Sequence, residues 1–104
     1  MHKHIEWDDP GSASVMEYFK NDPDHMPPYP GAMLSARYQG RIVRVKVEAY
    51  REDDAVSIGS VAAILDRHGR HHDAHLKLTV GDIVRLPDDK RAMEHWADNE
   101  EDDI

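Results

Sequence analysis

The spacing of apolar positions changes character along the chain. Over residues 12–20, Val15, Met16 and Phe19 fall on one helical face, and Ser14-Val15-Met16-Glu17 has the form of a capping box behind the turn Asp9-Pro10-Gly11-Ser12. A short helix is expected there. It stops at Asn21-Asp22-Pro23, because Pro23, Pro27, Pro28 and Pro30 over residues 22–31 neither continue a helix nor supply ladder donors. That segment reads as a packed connector, with Met26 and Tyr29 available to lie on the core, in preference to a proline-recognition motif.

After Gly31 the period becomes two. In residues 41–50, Val43, Val45, Val47 and Ala49 point one way while Arg44, Lys46, Glu48 and Tyr50 point the other, which predicts a strand. Residues 32–38 are its expected antiparallel partner, since Gln39-Gly40 supplies a short turn that tolerates positive φ. Residues 55–65 fit two patterns. Ile58, Val61, Ala62 and Leu65 have helical spacing with Gly69 as a C-cap, but Gly59 weakens a helix and Asp66-Arg67-His68-Gly69 reads as a hairpin turn, so a strand is preferred. Leu76, Leu78 and Val80 alternate with Lys77 and Thr79, and Gly81-Asp82 turns the chain into Ile83-Val84-Arg85-Leu86. Pro87-Asp88-Asp89 then looks like a helix start, with Ala92, Met93, Trp96 and Ala97 as its apolar stripe.

The expected fold is α+β: a small antiparallel five-stranded sheet or partly open barrel with a short helix at each end. It divides into an N-terminal helix and Pro-rich strap (1–30), a β-rich core (31–86), a C-terminal helix (87–97) and an acidic tail (98–104), all one domain. The segment Thr79-Val80-Gly81-Asp82-Ile83-Val84 resembles the Gly-Asp turns that join strands in small barrels of the SH3-like, PilZ-like and TRAM-like kinds. The arginine pattern of a PilZ nucleotide site is absent, so the resemblance assigns no site residue.

Composition narrows the function classes. With 39% apolar and 33% charged residues and a mean hydropathy of -0.76, the core must be small and leaves little room for a deep pocket. Cysteine is absent, which removes disulfides, thiolate catalysis and cysteine-based metal sites. No apolar run approaches a membrane span and residues 1–7 lack an apolar signal core, so a cytoplasmic location is the default expectation, and no membrane partner. The net charge of -8 is unevenly spread. Residues 1–30 carry two cations against six carboxylates, 31–86 nine against seven, and 87–104 two against eight. The middle is weakly basic between two acidic ends, which keeps a polyanionic partner in play.

Three candidate sites follow. Half of the eight histidines lie in residues 68–75, where His68, His71, Asp73 and His75 are candidate ligands for zinc, nickel or copper. On the long strand, Arg44, Lys46 and Tyr50 with Arg37, Tyr38 and Arg41 are a candidate basic surface with aromatics for stacking nucleic acid or for holding a partner. The tail residues Glu100, Glu101, Asp102, Asp103 and Ile104 are candidates for docking into a basic groove elsewhere. Against these stand the ordinary readings: a solvated histidine hairpin, a strand edge whose charges discourage aggregation, and a solubilising tail.

Catalysis has little support. Asp53 with Asp54, or Ser57 and Ser60 with a histidine, are pairs that a chain this rich in Asp and His yields by chance, and no nucleophile elbow, phosphate loop or zinc-protease motif occurs. The expectation is a bacterial-type, non-enzymatic interaction or regulatory module that binds another macromolecule, most often a protein, without a cofactor. Divalent-metal binding at residues 68–75 and nucleic-acid binding by the basic strand are the alternatives. An unpaired edge strand, or Met93 with Trp96, would serve a dimer as readily as complete a core.

Overall fold

The alternating valines become the centre of an antiparallel sheet in the computed structural model, which describes residues 5–11, 14–15 and 28–93. Strands β1 (Met33–Tyr38), β2 (Arg41–Arg51) and β3 (Val56–Leu65) form a meander. Tyr38 stands opposite Arg41 and Ile42 opposite Leu65. Gln39 and Gly40 make the first turn with φ of 49° and 81°, the positive pair that a two-residue hairpin of the right twist requires. At the second turn Asp66 binds the amides of His68 and Arg70 through its carboxylate, and Gly69 takes φ of 82°.

β3 has neighbours on both sides. Its first half pairs with β7 (Ile83–Pro87), and its last two residues pair with β4 (His71–His72). Between these, β5 (Ala74–His75) and β6 (Leu78–Thr79) make a separate small hairpin whose fully buried Leu78 ties it to the core. Val43, Val45 and Val47 meet Leu34, Ala36, Tyr38, Val61, Ile64, Val84 and Leu86 on the concave face. Each of the valine, leucine and isoleucine side chains contributes roughly 1.5–3 kcal/mol by leaving water. Trp7 closes one end of this core. Its ring edge meets Tyr38 at 6.3 Å between centroids, and its Nε1 donates to the Arg85 carbonyl at 2.8 Å. The adjoining Asp8 accepts the Gln39 and Gly40 amides at 2.9 and 3.0 Å, so the N-terminal segment holds the β1–β2 turn.

Beyond β7 the chain does not form the helix expected over 87–97, as far as residue 93. Pro87 ends a strand, Asp88–Lys90 make a single 3-10 turn, and Arg91 and Ala92 are extended. The Ala92 amide donates to the Ser35 carbonyl at 2.8 Å, Arg91 bridges Ala36, and Ser14 bridges Ala92. The chain thus crosses from the β7 edge of the sheet to the β1 edge, which curls the sheet into a half-barrel. The Ala92 amide is satisfied by β1, the Arg91 amide by Asp88 and the Arg91 carbonyl by the Val15 amide, and Ala92 is buried, a competing use of the apolar stripe that periodicity cannot foresee. The remainder of that helix, the tail over 98–104 and all of the helix predicted over 12–20 except Ser14 and Val15 lie outside the described residues, as does Met26. The architecture of the described residues is therefore mostly β, not α+β. Among them no helix is long and apolar enough to cross a membrane.

Three further expectations are corrected. Residues 76–80 are not one strand: Leu76 and Lys77 form a turn, leaving Leu76 70% and Val80 40% exposed. Tyr29 is 59% exposed and does not rest on the core. The alternation of β2 breaks where its register with β3 shifts between Val47 and Ala49, leaving Glu48 as an extra residue. From there the faces exchange. Ala49 is exposed, whereas Tyr50, opposite the fully buried Ser57 and in line with Leu86, turns to the concave side. Gly59 sits opposite Val47 in this region, and a Cβ there would run into the backbone carbonyl of Lys46.

Candidate interaction groove

β2 is longer than β1, and the difference leaves a groove. The ladder between them runs to Met33 opposite Lys46 and is extended by Val47, which exchanges hydrogen bonds with Gly31 and Ala32 at 2.8 Å each. The chain then turns away: the Ala32 amide closes on the Tyr29 carbonyl at 3.0 Å. Among the described residues no strand pairs with this side of β2 beyond Val47.

What remains is an open groove of about 590 Å³. Pro28, Tyr29 and Pro30 form one wall, and Glu48, Ala49 and Tyr50 form the other. The turn residues Glu52 and Asp53 close one end, so three carboxylates border the space. Among the described residues that line it, the cation Arg51 is paired with Asp54 across 3.4 Å. Apolar and aromatic walls under an acidic rim suit a ligand that is extended and positively charged.

Tyr50 is anchored from behind. Its hydroxyl donates to Asp88 Oδ2 at 2.6 Å, joining the end of β2 to the 3-10 turn. That hydrogen bond, with burial and the negative charges of Asp88 and Glu52, pushes the phenol up to about 12. Beside Tyr50 in the register, the buried Ser57 hydroxyl has no hydrogen-bond partner among the described residues.

The expected basic surface separates into parts. Arg37, Arg44 and Lys46 share the convex side of β1 and β2, as their register with Ile42, Ser35 and Met33 requires. Arg37 also donates to the Met93 carbonyl at 3.5 Å. Tyr38 is only 4% exposed and belongs to the core, Arg41 shares its side, and Tyr50 faces the acidic groove. Arg37, Arg44 and Lys46 therefore have neither tyrosine on their side of the sheet; the cation opposite Tyr38 is Arg41, and that ring is buried.

The histidines also take separate partners. His72 Nε2 lies 3.0 Å from Asp66 Oδ2, while His75 Nε2 lies 3.2 Å from the Gln39 carbonyl with its ring edge-on to Tyr38 at 6.0 Å. The hydrogen bond from His72, followed by those from the Arg70 and His68 amides, holds the Asp66 carboxyl well below the usual carboxylate range. His68, His71 and Asp73 are exposed. Among the described residues no three His, Asp or Glu side chains are grouped so as to hold a metal ion. The docking residues Glu100, Glu101, Asp102, Asp103 and Ile104 lie outside the described residues.

Sequence reasoning singled out Tyr50 and the Pro-rich strap but put them in different roles, and it passed over Glu48 and Glu52. Comparison of the chain with family models, with curated proteins and with solved structures gives no match.

Proposed function

We propose that this protein is a non-enzymatic interaction module that binds another protein through the groove between residues 28–30 and the end of β2. The observation that carries this reading is the side of β2 beyond Val47, which no strand covers among the described residues and which is walled by two prolines and two tyrosines and rimmed by Glu48, Glu52 and Asp53. Such a surface has the mixed apolar and polar character of a recognition site, and its open form suits a chain segment better than a small enclosed substrate. The test is photo-crosslinking in cells from a benzophenone side chain placed at Ala49, with exposed Arg70 in the β3–β4 turn, at the opposite end of β2, as the control. A discrete adduct with a polypeptide from position 49 and none from position 70 is the expected result. Equal labelling from both positions, or none from position 49, overturns it.

A further inference from the structure

The groove holds a feature beyond its walls, namely a length of β2 backbone whose ladder on one side has ended. Hydrogen bonding alternates along a strand, so residues that face β1 are separated by residues that face β3. Val47 faces β1, as its bonds with Gly31 and Ala32 show. Glu48 and Ala49 together occupy the place opposite Ile58, because the register passes from Val47 opposite Gly59 to Ala49 opposite Ile58. By this alternation the next residue whose amide and carbonyl face the β1 side is Tyr50, which lines the groove.

We propose that the groove takes an extended, basic segment of a partner protein, which adds to the sheet as a strand beside residues 48–51 of β2; the proposal rests on the interaction reading above and specifies its chemistry. Strand addition supplies hydrogen bonds that any sequence can make, and the side chains along the edge then decide which sequence is accepted. Here the rim carboxylates Glu48, Glu52 and Asp53 select lysine and arginine, and the Tyr29 ring, more than half exposed, offers a face for a cation. A second copy of this chain is disfavoured as the occupant. Antiparallel pairing of the same edge would set Glu48 and Glu52 of one copy near those of the other, and like charges facing across strands destabilise the pairing.

The test uses the full chain, isotope-labelled, and three synthetic peptides in low salt. The first alternates arginine with threonine over ten residues. The second replaces arginine by glutamate, and the third keeps the arginines but carries N-methyl groups on alternate amides, which removes ladder donors without changing charge. The expected result is binding of the first peptide, with amide shifts at Ala49, Tyr50 and Arg51 and slower hydrogen exchange at Tyr50. The glutamate peptide should not bind, and the N-methyl peptide and the Glu52→Gln/Asp53→Asn double variant should each weaken binding by about tenfold or more. Both substituted residues are exposed, so the variant keeps its fold. Equal binding of the N-methyl peptide overturns strand addition, and shifts centred on Arg44 and Lys46 overturn the site. A crosslink from position 49 without binding of the arginine peptide leaves the interaction module standing and removes the basic strand.

Discussion

The Tyr50 hydroxyl donates a hydrogen bond to Asp88 Oδ2 across 2.6 Å, and through that bond the distal end of β2 is tied to the 3-10 turn that carries the chain from β7 to β1. The phenol is raised from 10.0 in its free state to about 12 in the folded chain. A group raised on folding contributes its full stability below the unfolded value and loses it as the pH climbs through the folded one. Tyr50→Phe is therefore expected to lower stability by about 1 kcal/mol at neutral pH, the size of a hydrogen bond to a charged acceptor after allowance for solvent screening. In urea unfolding followed up to pH 12, the gap between wild type and variant should stay constant below pH 10 and close above it. A gap that widens with pH contradicts the assignment.

Asp66 organises the β3–β4 turn with both carboxylate oxygens: Oδ1 accepts the His68 and Arg70 amides at 2.8 and 3.0 Å, and Oδ2 meets His72 at 3.0 Å. Its folded value is depressed, so its contribution is present above the ordinary aspartate value of 3.8 and disappears as the pH falls through the lower folded one. Asp66→Ala loses every one of these bonds, whereas Asp66→Asn keeps an oxygen for the amides. Thermal unfolding at neutral pH should rank wild type above Asp66→Asn above Asp66→Ala. Acidification below pH 3.8 should bring wild type down towards the Asn variant. An Asn variant as unstable as the Ala one would show that the contact with His72, and not the turn, is what matters.

The parts of this fold that can be read from sequence are those fixed by neighbours in the chain. Gln39-Gly40, Asp66 to Gly69 and Gly81-Asp82 are turns whose residue types match the positive φ found at Gln39, Gly40, Gly69 and Gly81, and the valines of β2 declare their own face. Long-range choices are not declared in this way. Glu48 is an extra residue only because β3 provides no residue opposite it, so the reversal of Ala49 and Tyr50 depends on the pairing of two strands. The groove exists because β2 outruns β1, which is a property of register. Tyr38 is a different case. It stands in step with Leu34 and Ala36, so its burial was within reach of alternation once the shorter strand was given a face.

Gly59 illustrates the same dependence on register. A glycine in a strand reads as a weakness, yet here the missing side chain lets β2 and β3 approach next to the shifted register at Glu48. A Cβ would collide with the Lys46 carbonyl and lie 2.9 Å from Val45 Cγ1, and neither the ladder nor the buried valine can move away. Gly59→Ala is expected to cost about 3 kcal/mol or more, with a loss of dispersed amide signals in the region of Val45 to Val47. Gly69→Ala makes a useful comparison, since its cost comes from positive φ alone and no atom lies within 4 Å of the added carbon. A Gly59 variant no worse than the Gly69 one would mean that the strands separate easily at this point.

Leu76 stands against both local rules that govern leucine. It is 70% exposed, so little of its side chain is withdrawn from water, and it holds φ of 55° at the turn between β5 and β6. For an L-residue other than glycine that backbone region costs roughly 1–2 kcal/mol, and glycine takes it up with an entropic loss of about 0.5–1 kcal/mol. Leu76→Gly is therefore expected to stabilise the protein by about 0.5–1 kcal/mol, with Leu76→Asn intermediate because asparagine tolerates the same region. Opposing this is the position of Leu76 with Lys77 at the rim of a depression of about 420 Å³ over Tyr38 and Gln39, which Ile5 also lines. Denaturant midpoints of the three chains decide between the terms. A rise with glycine shows that backbone strain exceeds the contact, whereas a fall shows that the leucine covers the Tyr38 end of the core strongly enough to hold its own unfavourable backbone in place.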